Sequence, residues 1–231
     1  MPRAARVAPG GYVYHCLNRA AGRLRMFRTQ QDYAAFERIL IEAHARFGLR
    51  LCAWCVMGNH WHFVAWPRRD GELSDFFRWL AHTHAMRWRV AHASVGLGPL
   101  YQGRFKSFAV QADDEAFLLV CRYVERNALS AGLVRRAEDW RHGSLWVRQH
   151  GSAELRRVLC DDWPVERPRN WVERVNAVLT AREIARVQTS IARGRPLGDQ
   201  SWTNQLVQRL GLVHTMRSEG RPRKAADGDV K

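Results

Sequence analysis

The feature that most constrains the fold is a pair of apolar runs joined by a two-residue turn. Residues 49–57 read LRLCAWCVM and residues 60–67 read HWHFVAWP, with Gly58 and Asn59 between them. Two short β-type runs that flank a Gly-Asn step predict a tight β-hairpin. This hairpin places His60 and His62 at the beginning of its second strand.

The flanking segments predict an alternation of strands and helices. A capping box formed by Thr29 and Asp32 begins the first helix and Gly48 ends it, and Ser74 is the expected cap of the second helix. The resulting order β-α-β-β-α-β-α predicts an α+β fold in which helices pack on a central, mainly antiparallel sheet. The segments outside the hairpin are a strand at 10–20, helices at 29–48 and 73–93, a strand at 98–111 and a helix from 113 to 132.

The character of the sequence changes after Arg148. Residues 161–170 read DDWPVERPRN, which is rich in proline and charge, as a linker is. We therefore predict a folded domain at 1–150 and a basic, partly flexible C-terminal extension at 151–231. Within the extension, helices are expected near 180–193 and 200–210.

Charge points to a polyanionic partner. Lys and Arg together number 37, against 22 Asp and Glu, and the formal net charge is +15. Such an excess favours nucleic acid. A GC-rich genome can also explain why arginine outnumbers lysine. It does not explain the net positive charge. No apolar run reaches the roughly 18 residues of a membrane span, and the N-terminus lacks a signal-peptide pattern. The five cysteines are then expected to be reduced thiols in the cytoplasm.

Two groups of residues could carry chemistry. On a strand, His60 and His62 share one face, where two imidazoles can bind one divalent metal ion or act on a phosphate; many such pairs are incidental. On the third helix, Asn127 follows Tyr123 by one turn, so that a phenol lies beside an amide able to bind metal. The same pattern also fits a tyrosine at the edge of the core. His15 either lines the site or lies in the core, and we favour the core.

Several segments resemble one protein family. The sequence VMGNHWHFVAWP is similar to the HUH motif (His-hydrophobic-His) of single-tyrosine transposases. The segments YVYHCLNRA, YQGRFKSF, CRYVERNALSAGLV, GRPLGDQSW and GRPRK resemble those of one branch, the REP-associated tyrosine transposases. The matches occur in the same order as in the family and extend over most of the chain.

The resemblance implies a ferredoxin-like HUH transposase fold and a reaction. The reaction is metal-dependent cleavage of single-stranded DNA, with transfer of the strand through a 5′-phosphotyrosine and release of a 3′-OH. Tyr123 matches the nucleophile, His60 and His62 match the metal-binding histidines, and Asn127 falls where the family has a third ligand. The implied cofactor is Mg²⁺ or Mn²⁺. The implied substrate is a REP hairpin with a short single-stranded guide sequence at its foot.

Basic side chains outside this group are candidates for DNA binding. Arg104 and Lys106 are expected to alternate on one face of the last strand, where they could follow a DNA backbone or form a solvated face. The RGRP and GRPRK segments resemble arms that enter the minor groove, and they could equally be solvated. The tail residues concerned are Arg193, Arg195, Arg221, Arg223 and Lys224.

Two other functions are compatible with these residues. One is a nucleic-acid-binding protein of the same fold that has lost catalysis. The other is a metal-dependent hydrolase that uses His60, His62 and water. A hydrolase does not need Tyr123, so a covalent protein–DNA adduct distinguishes it from a transposase. The sequence leaves the oligomeric state, monomer or homodimer, undecided.

Overall fold

The computed structural model describes residues 6–217 and has one four-stranded antiparallel sheet. Its strand order is β2-β3-β1-β4, so that β3 and β1 are the inner strands. The hairpin between β2 and β3 turns at Gly58 and Asn59, as the sequence predicts. The strands are β1 (Val13–Arg19), β2 (Arg50–Met57), β3 (His60–Trp66) and β4 (Lys106–Val110).

Helices cover both faces of the sheet. Two long helices pack together on one face, and a shorter helix packs on the other face against β2 and β3. The predicted α+β fold with a mainly antiparallel sheet is confirmed. The helices are α1 (Gln30–Phe47), α2 (Glu72–Ala91), α3 (Ala116–Glu125), α4 (Asn127–Ser130), α5 (Ser144–His150), α6 (Ala153–Arg156), α7 (Trp171–Asn176), α8 (Ala181–Arg193) and α9 (Gln200–Arg209).

Alternation along the strands divides the core into two parts. Trp61 and Phe63 point towards α1 and α2, where they join the larger apolar cluster. Val64 and the neighbouring Val13 and Phe108 point to the opposite face and pack with α3. The histidines of β3 share the face of Val64, and the sheet therefore directs them towards α3.

The limits of the first helix are confirmed, whereas the cap predicted for the second is wrong. The Thr29 hydroxyl accepts from the Asp32 amide, the Asp32 carboxylate accepts from the Thr29 amide, and Gly48 ends α1 with a φ of 65°. Helix α2 begins at Glu72 rather than after Ser74. The Glu72 carboxylate accepts the amides of residues 68 and 69, which ties the preceding loop to the helix start.

Two other elements differ from the prediction. The last strand begins only at Lys106, so that Arg104 precedes the strand. The third helix is divided at Arg126, whose ψ of −6° ends α3 before α4 begins at Asn127. The Arg126 guanidinium turns back to donate to the carbonyls of Val175 and Asn176 at the end of α7.

Residues 151–217 pack against the part of the chain that precedes them. In the segment predicted to be a linker, Trp163 is buried against Phe117 of α3 and against Trp171. Val187 of α8 and Leu197 belong to the same apolar cluster. Burial of a large apolar side chain is favourable wherever it can pack against an apolar surface. The composition of the segment alone does not show whether such a surface is near. Within the described ranges, no helix has the length and hydropathy needed to cross a bilayer.

Candidate active site

The second strand of the hairpin presents two imidazoles on one face. The ring centroids of His60 and His62 lie 5.1 Å apart. His62 is buried, and His60 is partly exposed at the beginning of β3. The prediction that both rings share a strand face therefore agrees with the structure.

Helix α3 places Tyr123 opposite these rings. Val120, Cys121 and Val124 are buried against the sheet, which leaves Tyr123 half-buried at the edge of the contact. Its ring centroid lies 6.1 Å from that of His62. Asn127 lies beyond the break in the helix, and its side chain nevertheless reaches His60 in a hydrogen bond.

Burial sets the protonation states of these groups. It lowers the pKa of His60 to about 4, helped by the charge of Arg19 and opposed by the hydrogen bond to Asn127. Burial also holds the pKa of His62 well below its usual value, with smaller effects from His15, His60 and Arg19. Both imidazoles are therefore neutral at pH 7, as a metal ligand requires. Burial raises the pKa of Tyr123, which keeps its hydroxyl protonated.

These side chains line one open cleft of about 650 Å³ between β3, α3 and the loop before β4. Three cations lie around it: Arg19 from the end of β1, and Arg104 and Lys106 from the loop and the start of β4. Arg19 is not among the site residues predicted from the sequence. The signal for it was available, because Arg19 continues the alternation of His15 and Leu17 on the site face of β1.

His15 lies in the core, as favoured from the sequence, and it also contacts the site. It is fully buried, and its Nε2 atom is 2.9 Å from Nδ1 of His62. Burial lowers the pKa of His15 to about 3, so this imidazole is neutral as well.

The predicted DNA-binding residues are distributed over separate surfaces. Arg104 and Lys106 line the histidine cleft and also a second cleft of about 620 Å³, where Arg193 joins them. Arg195 lines one further cleft with Arg193 and another with Arg182 and Arg186. Arg221, Arg223 and Lys224 lie outside the described residues.

The cleft has the donors for one weakly held divalent ion. Among residues 6–217, no cluster of three or more His, Cys, Asp or Glu side chains could bind a metal. The available set is two neutral imidazoles and the Asn127 amide. Imidazole suits Mn²⁺ and Mg²⁺ less well than carboxylate does, so this set fits an ion that substrate phosphate helps to bind.

The first comparison with known proteins identifies the family. The sequence profile of the family described as "Transposase IS200 like" matches residues 10–127, which is just over half of the chain. The matched region contains His60, His62, Tyr123 and Asn127. The chain belongs to this transposase family.

One solved structure shows the same fold. A REP-associated tyrosine transposase bound to a REP hairpin superposes with a TM-score of 0.51 and 18% sequence identity, over 72% of this chain and 94% of the other. A Deinococcus radiodurans R1 protein assigned to the transposases aligns with a TM-score of 0.39 and 19% identity, over 54% of this chain and 97% of the other. The resemblance found in the sequence is thus confirmed for family and fold. No curated protein sequence matches.

Proposed function

We propose that this transposase cleaves single-stranded DNA at the foot of REP-like hairpins through a 5′-phosphotyrosine on Tyr123. One observation carries the proposal. The phenol of Tyr123 faces His62 across an open cleft that also contains His60, Asn127 and three cationic side chains. This arrangement combines a nucleophile, ligands for a divalent ion and positive charge for a phosphate.

In the proposed reaction, Tyr123 Oη attacks the scissile phosphorus. The bond from phosphorus to the 3′-oxygen breaks, the 3′-oxygen takes up a proton, and the 5′-phosphate stays on the tyrosine. The phenolic proton leaves to water through the open cleft. Because burial raises the pKa of Tyr123, positive charge near the phenolate is needed, and Lys106 and Arg104 line the same cleft.

The two histidines and Asn127 would hold the metal. A bound divalent ion would neutralise the non-bridging oxygens of the scissile phosphate. Arg19 lies beside His60 and adds positive charge at that end of the cleft. The phosphotyrosine conserves the energy of the broken bond, and an incoming 3′-OH can therefore reverse the step and join strands. This property distinguishes strand transfer from hydrolysis.

Two adjoining clefts suggest a path for the DNA strand. The histidine cleft and the cleft that contains Arg193 share Arg104 and Lys106. We propose that the single strand lies along β4 between them. The substrate class follows the solved relative, which was captured with a REP hairpin. We further propose that the protein acts on DNA in the cytoplasm and that the C-terminal segment contributes to DNA binding.

The test is cleavage of labelled hairpins, with single-stranded flanks, taken from repeats of the protein's own genome. We predict that His60→Ala and His62→Ala each lower the rate of cleavage by at least about 100-fold, because transition-state charge is left unneutralised. Hairpin affinity should change little, since it depends on phosphate contacts. EDTA should stop the wild type.

His150→Ala removes an exposed imidazole that does not line the cleft, and it is the control. It should cleave as the wild type does. Cleavage that persists in EDTA, or in both cleft variants, would contradict the metal-dependent reaction. A wild type that binds hairpins and never cuts them would instead indicate a binding protein.

A further inference from the structure

His15 and His62 are diagonal neighbours on the site face of the sheet. His15 pairs with Val64 on β3, and His62 lies two residues before Val64 on that strand. Diagonal side chains on one face are within reach when they are long. Here the rings tilt towards each other, with centroids 5.0 Å apart, and Phe108 packs against His15 from the other side.

The hydrogen bond between the rings restricts which nitrogen of His62 can bind a metal. A neutral imidazole carries one hydrogen, and a nitrogen that binds metal cannot carry it. Nδ1 of His62 faces Nε2 of His15, which leaves Nε2 of His62 for the cleft. When Nε2 binds a metal, the hydrogen lies on Nδ1 and needs an acceptor.

His60 has a similar arrangement with a different partner. Its Nδ1 atom lies 2.6 Å from Oδ1 of Asn59, and an amide oxygen can only accept. The hydrogen of His60 is therefore on Nδ1, and its Nε2 is left unprotonated. Each histidine of the pair thus has a neighbouring residue placed at Nδ1.

We propose that His15 is a positioning residue for the metal site, which accepts the Nδ1 hydrogen of His62 and so directs the lone pair of Nε2 into the cleft. This inference rests on the proposed function. His15 is fully buried, and it therefore acts on the reaction through His62 and touches no substrate. Nδ1 of His15 has no hydrogen-bond partner among the described residues. When His62 binds the metal, the hydrogen of His15 lies on this Nδ1 atom and stays without an acceptor.

The test is the affinity of the full-length protein for Mn²⁺ alone, measured by electron paramagnetic resonance of the free ion. His15→Phe keeps a ring against Phe108 and removes both nitrogens. Loss of such a partner typically weakens metal binding by about 10- to 100-fold, which is the expected change. His15→Gln places an amide near the position of Nε2 and should recover part of the affinity.

His84→Phe is the matched control, because it removes a buried imidazole that packs against Phe27 and Phe36 on the opposite side of the sheet. It should bind Mn²⁺ as the wild type does. Equal affinity of His15→Phe and the wild type would overturn the role of His15 and leave the proposed function intact. The same titrations are run in the Tyr123→Phe background with a hairpin bound, because substrate phosphate helps to hold the ion. No affinity for Mn²⁺ in either series would instead overturn the metal site of the proposed function.

A measurement on the wild type does not depend on how the variants fold. In protein labelled with [¹⁵N]histidine and saturated with Mg²⁺, long-range ¹H–¹⁵N correlations report the hydrogen of His62. We expect it on Nδ1. A hydrogen on Nε2 under these conditions would overturn the assignment of His15.

Discussion

Burial decides the protonation of single residues in this protein. His84 of α2 is buried, its Nδ1 atom lies 2.7 Å from the hydroxyl of Tyr101, and burial lowers its pKa to about 3. The nearby polar partners are Asp32 and His92, whose side chains lie 2.7 Å apart. Asp32 has its pKa lowered below 3.8, so it titrates outside the range from pH 5 to 7.

His84 should therefore make folding sensitive to mild acid. The unfolded chain takes up a proton near pH 6.5, whereas the folded protein does so only near pH 3. Stability from this residue is present above pH 6.5 and is lost as the pH falls, by at most about 1.4 kcal/mol per pH unit. Urea unfolding at pH 7.0 and 5.5 measures the free energy of unfolding at each pH. The decrease from pH 7.0 to pH 5.5 should be smaller in His84→Phe than in the wild type. An identical loss in both proteins would contradict this assignment.

The site residues differ in how far the sequence could predict them. His60, His62, Tyr123 and Asn127 follow from spacing and from the family resemblance, and the structure brings them to one cleft. The contact of His15 with His62 could not be predicted, because it depends on the register between β1 and β3. That register is set by pairing across the whole sheet rather than by local pattern.

At the scale of elements, the helix that carries Tyr123 is held from behind by the C-terminal segment. Glu125 is buried and accepts hydrogen bonds from the Ser144 hydroxyl, at 2.6 Å, and from Nε1 of Trp171, at 2.7 Å. Arg122 donates to the carbonyl of Arg174 near the end of α7. The apolar stripe of α3 could be predicted from the sequence. These polar contacts could not, because they join residues about 20 to 50 positions apart in the chain.

Trp171→Phe tests this junction. The substitution keeps most of the apolar packing but removes the donor to a buried carboxyl group, which should cost about 1–3 kcal/mol in the free energy of unfolding. Urea titration of the full-length protein measures the change. Trp79→Phe is the control, since that indole packs against Phe47 on the other face of the sheet. Equal losses in the two variants would show that the bond to Glu125 adds nothing.

At the scale of the whole molecule, basic side chains line both clefts that the DNA is proposed to follow. Lys106 lines both clefts, and Arg193 lines the second. The segment after residue 150 packs into the core around α3 and also supplies Arg193. Its packing was not evident from its proline-rich, charged composition, because burial depends on the surface that it meets. Removing the segment would expose this core, so point substitutions are the better test of DNA contacts.

We predict that Lys106→Ala and Arg193→Ala each weaken hairpin binding. Each should also reduce the slope of log affinity against log salt by about one, since one phosphate contact fewer releases fewer counterions. Arg87→Ala removes an equal charge that is paired with Glu42 on the helical face, and it should leave the slope unchanged. Fluorescence anisotropy over a series of salt concentrations measures all three. Unchanged slopes for Lys106→Ala and Arg193→Ala would exclude the proposed path along β4.

The central claim is that Tyr123 becomes covalently joined to DNA. The direct measurement is peptide mapping of the adduct that forms on a hairpin labelled on the 5′ side and on the 3′ side of the cut in separate samples. We predict that the wild type retains the label attached to the 5′-phosphate, that the adduct maps to Tyr123, and that the other product ends in a 3′-OH. Tyr123→Phe keeps the ring and should form no adduct and cut no DNA. An adduct on another residue, or full cleavage by Tyr123→Phe, would contradict the account.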